Sequence, residues 1–185
     1  LTIFDDPKIH FKAATVWAEE HIKKKDKKDI KDFEKIKKDE KIKIGYYSAD
    51  FRTHAMGHLL VRMFELHDKK KFEIYGFYFG PVVRENDDLS KRIIKSFDKF
   101  IDVTSKNDIE VAELSRSIGI DIAVDLMCFT GTHNRFGIFT QKCAPLQINF
   151  LGYPGTSGSN YINYIIVDKN LTSEDNKNFF SENLI

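Results

Sequence analysis

The stretch Ile42–Leu60 reads IKIGYYSADFRTHAMGHLL and changes character twice. Ile42, Ile44 and Tyr46 alternate with Lys43, Gly45 and Tyr47, the period of a strand. Ser48-Ala49-Asp50-Phe51-Arg52-Thr53-His54 is then too polar for a core strand. Apolar residues resume at Leu59, Leu60, Met63, Phe64 and Leu66 with helical spacing. Strand, polar loop and helix make half of a parallel α/β unit. In open α/β sheets ligands bind at the carboxyl ends of the strands, where this loop falls. Within nine residues it brings together a carboxylate (Asp50), a guanidinium (Arg52), a hydroxyl (Thr53) and two imidazoles (His54, His58).

On the C-terminal side the alternation continues. Phe72–Phe79 (FEIYGFYF) reads as an aromatic-rich strand stopped by Gly80-Pro81, and Arg84–Asp88 as a charged loop. Leu89, Ile93, Ile94 and Phe97 space out a short amphipathic helix, Phe100–Val103 a short strand, and Ile109, Val111, Ala112 and Leu114 a helix that Gly119 can cap. Ile120–Leu126 is a strand ending in a second polar cluster of Asp125, Thr130, His133, Asn134 and Arg135. One helical turn at Phe136–Thr140, a strand at Leu146–Phe150, the loop Leu151–Gly158 and a strand at Tyr161–Val167 follow, with a helix starting at Ser173–Asn178. The expected fold class is α/β, a Rossmann-like parallel sheet with flanking helices. Neither G-x-G-x-x-G nor G-x-x-x-x-G-K-[ST] occurs, which disfavours a nucleotide cofactor held in the usual way by this domain alone.

On the N-terminal side, Asp5, Asp6 and Pro7 can open a helix with Ile9, Ala13, Ala14, Trp17 and Ile22 on its apolar face. We divide the chain into this helix (1–24), a charged linker (25–40) and the α/β unit (41–185). The 185 residues are 42% hydrophobic with sixteen Phe, enough for a sizeable core. With 29 basic and 28 acidic residues the net charge is +1, so no general field favours nucleic acid or membrane as partner. No apolar run reaches the roughly 18 residues of a membrane helix. Two cysteines, Cys128 and Cys143, make neither a metal nor a disulfide framework, and reduced thiols in a cytoplasmic protein are the expectation. Leu1 is not a natural start and the chain stops on apolar residues, so the sequence reads as a piece of something longer.

Each polar residue has a plain structural reading. Arg52 can pair with Asp50 to hold the loop, and Asp125 can cap backbone amides. His54 and His58 stand i, i+4, a spacing that on a helix allows a metal, but the Glu of H-E-x-x-H is missing. A structural histidine or a general base is favoured over a ligand, and no metal is expected. The coincidence of two polar clusters at strand ends, with a Gly-Pro-Gly loop after a third strand, points to a cleft.

DFRTHAMGH (Asp50–His58) followed by LGYPGTSG (Leu151–Gly158) resembles the catalytic region of the O-linked N-acetylglucosamine transferases, the TPR-containing glycosyltransferase family that includes the plant SPINDLY-type O-fucosyltransferases. The resemblance runs from about Lys41 to the C-terminus and more loosely over Phe4–Ile22. It implies the N-terminal half of a GT-B enzyme, with TPR repeats before it and a donor-binding half after it. It implies transfer of N-acetylglucosamine from UDP-GlcNAc to Ser/Thr hydroxyls of protein or peptide acceptors, with inversion, without metal and without any cofactor beyond the sugar nucleotide. It places His54 and Asp50 at the catalytic centre, and Thr130, Leu151 and Pro154 beside the acceptor. A sibling using GDP-fucose or UDP-glucose, or a non-catalytic protein-binding module, are the other readings. Asp125-Leu126-Met127-Cys128-Phe129-Thr130 departs from the D-L-x-G-H-T of bacterial relatives, with Cys128 for Gly and Phe129 for His or Tyr. If a partner half faces the motif loops, Tyr153, Pro154 and the Phe179-Phe180 pair are expected to be exposed.

Overall fold

The computed structural model describes residues 6–21, 40–82, 86–170, 172 and 174–185. All but the last residue of the charged linker, and part of the loop before Asp88, lie outside these. Among the described residues no helix is long and apolar enough to cross a membrane.

Helix α1 (Pro7–His21) precedes strand β1 (Ile42–Ser48), and the chain then alternates through α2 (Ala55–Glu65), β2 (Phe72–Tyr78), α3 (Asp88–Ser96), β3 (Lys99–Asp102), α4 (Asp108–Ile118), β4 (Ile122–Asp125), α5 (Gly137–Thr140) and β5 (Leu146–Phe150). It closes with β6 (Tyr164–Ile166), a 3-10 helix (Glu174–Phe179) and β7 (Asn183–Leu184). The strands form one seven-stranded parallel sheet in the order β3-β2-β1-β4-β5-β6-β7. The chain therefore runs outward from β1, returns past it, and continues the other way. A right-handed crossover puts its helix on opposite faces in the two directions. Accordingly Leu60, Val61 and Phe64 of α2 and Ile93 of α3 pack with Ile44, Tyr46, Ile74 and Val124 on one face. Val111 and Ala112 of α4 and Ile138 and Phe139 of α5 pack with Tyr47, Phe77 and Ala123 on the other. The period-two alternation of β1 supplies both layers.

Three elements are shorter or earlier than the sequence pattern suggests. Helix α2 begins at Ala55, four residues before the apolar spacing starts, because His54 caps it with extended backbone. Strand β4 loses Ile120, whose N–H goes to Ser115 O to close α4 at Gly119 (φ 78°). Strand β6 starts only at Tyr164, since the buried Gln147 side chain takes Tyr161 O at 2.7 Å and Asn163 Oδ1 accepts the Gln147 N–H at 2.9 Å.

Helix α1 is part of the α/β body. Ala14 and Ala18 are buried, and Trp17 packs edge-on to Phe129 (4.8 Å between centroids) and Phe136 (6.2 Å). It also lies along the 3-10 helix, with Lys8 Nζ 5.9 Å from the Phe179 ring. The expectation of an exposed C-terminal pair is corrected: Phe179 and Phe180 are both half-buried, and α1 lies against the helix that carries Phe179.

Candidate active site

The order reverses between β1 and β4, the switch point at whose carboxyl end α/β sheets bind ligands in a crevice. Strand β5 lies next to β4, so the loops after β1, β4 and β5 leave the same edge side by side. They touch. Ser48 Oγ stands 3.6 Å from Met127 Sδ, the Phe129 and Tyr153 rings meet at 5.5 Å, and Gly152 lies directly on the Leu126 carbonyl. The sequence expectation that His54 and Leu151–Gly158 share one edge of the sheet is met.

In the first loop Asp50 is almost buried and divides its oxygens. Oδ1 receives Arg52 Nη2 at 3.0 Å, and Oδ2 lies 3.5 Å from His54 Nδ1. The loop-holding ion pair read from the sequence is thus present. His54 Nδ1 is also 3.3 Å from the Met56 N–H. That nitrogen holds either the lone pair Met56 donates to or the proton Asp50 accepts, so the two contacts belong to different tautomers. His54 sits outside α2 with φ −155° and ψ 158°, which removes the shared helical face on which a His54–His58 metal pair depends. Among the described residues no group of three or more His, Cys, Asp or Glu is placed to hold a metal.

In the second loop Asp125 Oδ1 accepts the N–H groups of Met127 (2.9 Å) and Cys128 (3.1 Å), the capping anticipated from its place at a strand end. This turn drives Cys128 to φ 47°, a conformation that suits glycine, which is the residue the resemblance expects there. Burial, and then the Asp125 carboxylate beside it, push the Cys128 thiol well up, so it is no nucleophile. Thr130 is half-buried and its hydroxyl donates to Met127 O at 2.6 Å. The rest of the second polar cluster does not converge on the crevice. Arg135 ties Asp108 (2.7 Å) to the carbonyls of Val103 and Lys106, and Asn134 bonds Gly131 O.

In the third loop Leu151 has φ 64° and is more than a third exposed, Pro154 is exposed, and Tyr153 is half-covered by Phe129. A bulky residue in the left-handed region is strained by about 1–2 kcal/mol and persists only where its surroundings hold it. The far end is held by Glu182, a residue the sequence did not single out. Its buried carboxylate accepts Thr156 Oγ1 (2.8 Å) and the Ser157 N–H (2.7 Å). Trp17, under Phe129, was likewise read only as a helix-face apolar residue.

Burial pushes the Asp125 carboxyl up to about 6 against the opposing pull of the Met127 and Cys128 N–H groups. The folded chain thus keeps this proton through a range where an unfolded Asp, with a pKa of about 4, has lost it. The proton's contribution is fully present below about pH 4, is lost as pH rises to about 6, and stays lost above. The roughly two-unit gap is worth up to about 3 kcal/mol. Asp125→Asn keeps the Oδ1 acceptor and removes the titration. Urea unfolding at pH 4.5 and pH 7 should show the variant gaining stability relative to the parent as pH rises, because the parent alone loses the Asp125 contribution. Equal slopes for variant and parent would show that Asp125 does not titrate in this way.

Comparison with known proteins gives the arrangement its relatives. The family model for Glycosyl transferase family 41 matches residues 9–185. The Arabidopsis thaliana "Probable UDP-N-acetylglucosamine--peptide N-acetylglucosaminyltransferase SEC" is 30% identical over 146 residues, 78% of this chain and 14% of that protein. The Caenorhabditis elegans UDP-N-acetylglucosamine--peptide N-acetylglucosaminyltransferase is 29% identical over 151 residues, 80% of this chain and 13% of that protein. A solved O-GlcNAc transferase mutant from Thermobaculum terrenum superposes with a TM-score of 0.81 at 27% identity, covering 97% of this chain and 34% of that one. The chain therefore spans about a seventh of these curated relatives and a third of the solved structure. Its sheet is a GT-B-like Rossmannoid half of the kind found in that structure. Because the match takes in α1, the three touching loops and β7 alike, the chain belongs to Glycosyl transferase family 41.

Proposed function

We propose that this chain is the N-terminal, acceptor-side half of the catalytic region of a protein O-GlcNAc transferase. The reaction moves N-acetylglucosamine from UDP-GlcNAc to a Ser or Thr hydroxyl, with inversion and without a metal requirement. The observation that carries this is the Asp50–His54 pair, 3.5 Å apart, at the carboxyl end of β1 beside the LGYPG loop in a family 41 chain. In the reaction the acceptor oxygen bonds to the anomeric carbon as the bond to the UDP oxygen breaks, and UDP leaves with the electron pair. The hydroxyl must lose its proton as it attacks. His54 serves as base in the tautomer with its proton on Nδ1, facing Asp50 Oδ2, and the lone pair on Nε2. Reaching that tautomer gives up only the long 3.3 Å Met56 contact. Once Nε2 takes the proton, Asp50 faces an imidazolium, an attractive charge pair. Thr130, Leu151 and Pro154 form the acceptor side of the crevice in this reading, and the sugar nucleotide is held mainly by a C-terminal half.

The test uses the complete protein, a Ser/Thr peptide, and radiolabelled UDP-GlcNAc, UDP-glucose and GDP-fucose in parallel. UDP-GlcNAc is expected to label the peptide, undiminished by EDTA. Preferential labelling from another donor would make the protein a sibling transferase, and loss of labelling in EDTA would bring metal back into the mechanism. No labelling from any donor would favour a non-catalytic, protein-binding role.

A further inference from the structure

We infer that Asp87, thirty-three residues beyond His54, is a positioning residue that fixes His54 through Thr53; its link to turnover rests on the reading of His54 as a catalytic group. The carboxylate does two jobs. Oδ1 caps α3 by accepting the Ser90 N–H at 2.8 Å and also accepts Thr53 Oγ1 at 2.8 Å, while Oδ2 accepts the Thr53 N–H at 2.8 Å. Thr53 immediately precedes His54, whose backbone is extended, so rotation at Thr53 swings the imidazole relative to Asp50.

Among the described residues, the contacts on either side of Thr53 hold its neighbours rather than Thr53 itself. On its near side Ser90 Oγ donates to Phe51 O at 2.8 Å, and the Phe51 ring is locked among Phe64, Phe97 and Phe100. On its far side Gly57 packs against the Arg52 carbonyl and against Leu89 and Ile93 of α3. Helix α3 and its cap thus hold the loop at Phe51 and Thr53, α2 backs it at Arg52, and among the described residues it is Asp87 that binds the backbone and hydroxyl of the residue before the imidazole. Among the described residues, the charged group acting on it is Arg52, which also reaches Asp50. Two N–H donors and a hydroxyl converge on one carboxylate, which keeps its carboxyl below the usual range. The sequence offers only the helix-start signal of Asp87-Asp88 before Leu89, which explains the α3 cap and says nothing of Thr53.

Asp87→Asn separates the two jobs. The amide oxygen can keep the Ser90 cap, but the amide nitrogen now confronts the Thr53 N–H, donor against donor. In the complete protein, melting temperature should stay close to that of the parent, whereas hydrogen exchange at Phe51–Met56 should speed up. Turnover should drop about 10-fold with both KM values nearly unchanged, since a displacement of about 1 Å at a reacting group can cost up to about 100-fold. Thr53→Val, which removes only the hydroxyl, should show the same pattern more weakly. Unchanged exchange at Phe51–Met56 in Asp87→Asn overturns the inference, whatever the turnover. Faster exchange with parental turnover upholds the hold on Thr53 and instead removes His54 from the reaction.

Discussion

If the proposed reaction holds, replacing His54 by Ala in the complete protein should lower turnover at least about 100-fold while leaving the fold intact, the range expected when a general base or a positioning group is lost. The fold is spared because His54 contributes little to it. Its ring is 40% exposed, and its contact with the Met56 N–H is long at 3.3 Å. Losing a good N-cap costs about 1 kcal/mol, and this is a poor one. His54→Asn sharpens the test, because Asn is among the best N-cap residues yet cannot act as a base at neutral pH. It should keep or improve the stability of α2 and still lack turnover. Near-parental turnover in either variant would take His54 out of the mechanism. A loss of turnover that followed melting temperature across the two variants would make the effect structural.

Which parts of this were readable beforehand follows from the range of the interactions involved. Period-two alternation at Ile42–Tyr47 and helical spacing from Leu59 are local signals, so β1 and α2 could be found without a structure. Asp125 at a strand end and Gly119 after a helix act on amides within three or four residues, and both behave as their positions suggest. What could not be read is whatever depends on partners far along the chain. Asp87 and Thr53 are thirty-four residues apart, Thr156 and Glu182 twenty-six, and neither pair has a sequence pattern that joins them. Arg135 departs from its place in the second polar cluster for the same reason. Arg135 looks like site chemistry beside Thr130, but the β3–α4 turn offers it Asp108 and two carbonyls, so it points there. Likewise nothing near Phe179 in the sequence signals its cover, because the helix that lies against it is at the opposite end of the chain.

Gly152→Ala should be strongly damaging to the crevice, and the reason is backbone against backbone. A Cβ at Gly152 would overlap the carbonyl oxygen and carbon of Leu126 and press on the Met127 nitrogen. None of these can turn aside as a side chain can. Leu126 N–H is bonded to Tyr47 O at 3.1 Å, continuing the ladder between β1 and β4, and Gly152 N–H to Phe150 O at 2.7 Å. Relief therefore requires the loops after β4 and β5 to separate, which breaks the Phe129–Tyr153 contact and moves Thr130 and Pro154 apart. Overpacking typically costs about 1–3 kcal/mol, and a clash with fixed backbone belongs at or above the upper end. Gly155→Ala, three residues on in the same loop, is the control. The atoms its Cβ would meet first belong to the Tyr153 ring, a partly exposed side chain that can give way where backbone cannot. Urea unfolding should place Gly152→Ala at least about 2 kcal/mol below Gly155→Ala. Equal stability would mean that the two loops do not meet as described, and the crevice would lose the contact that brings its acceptor side together.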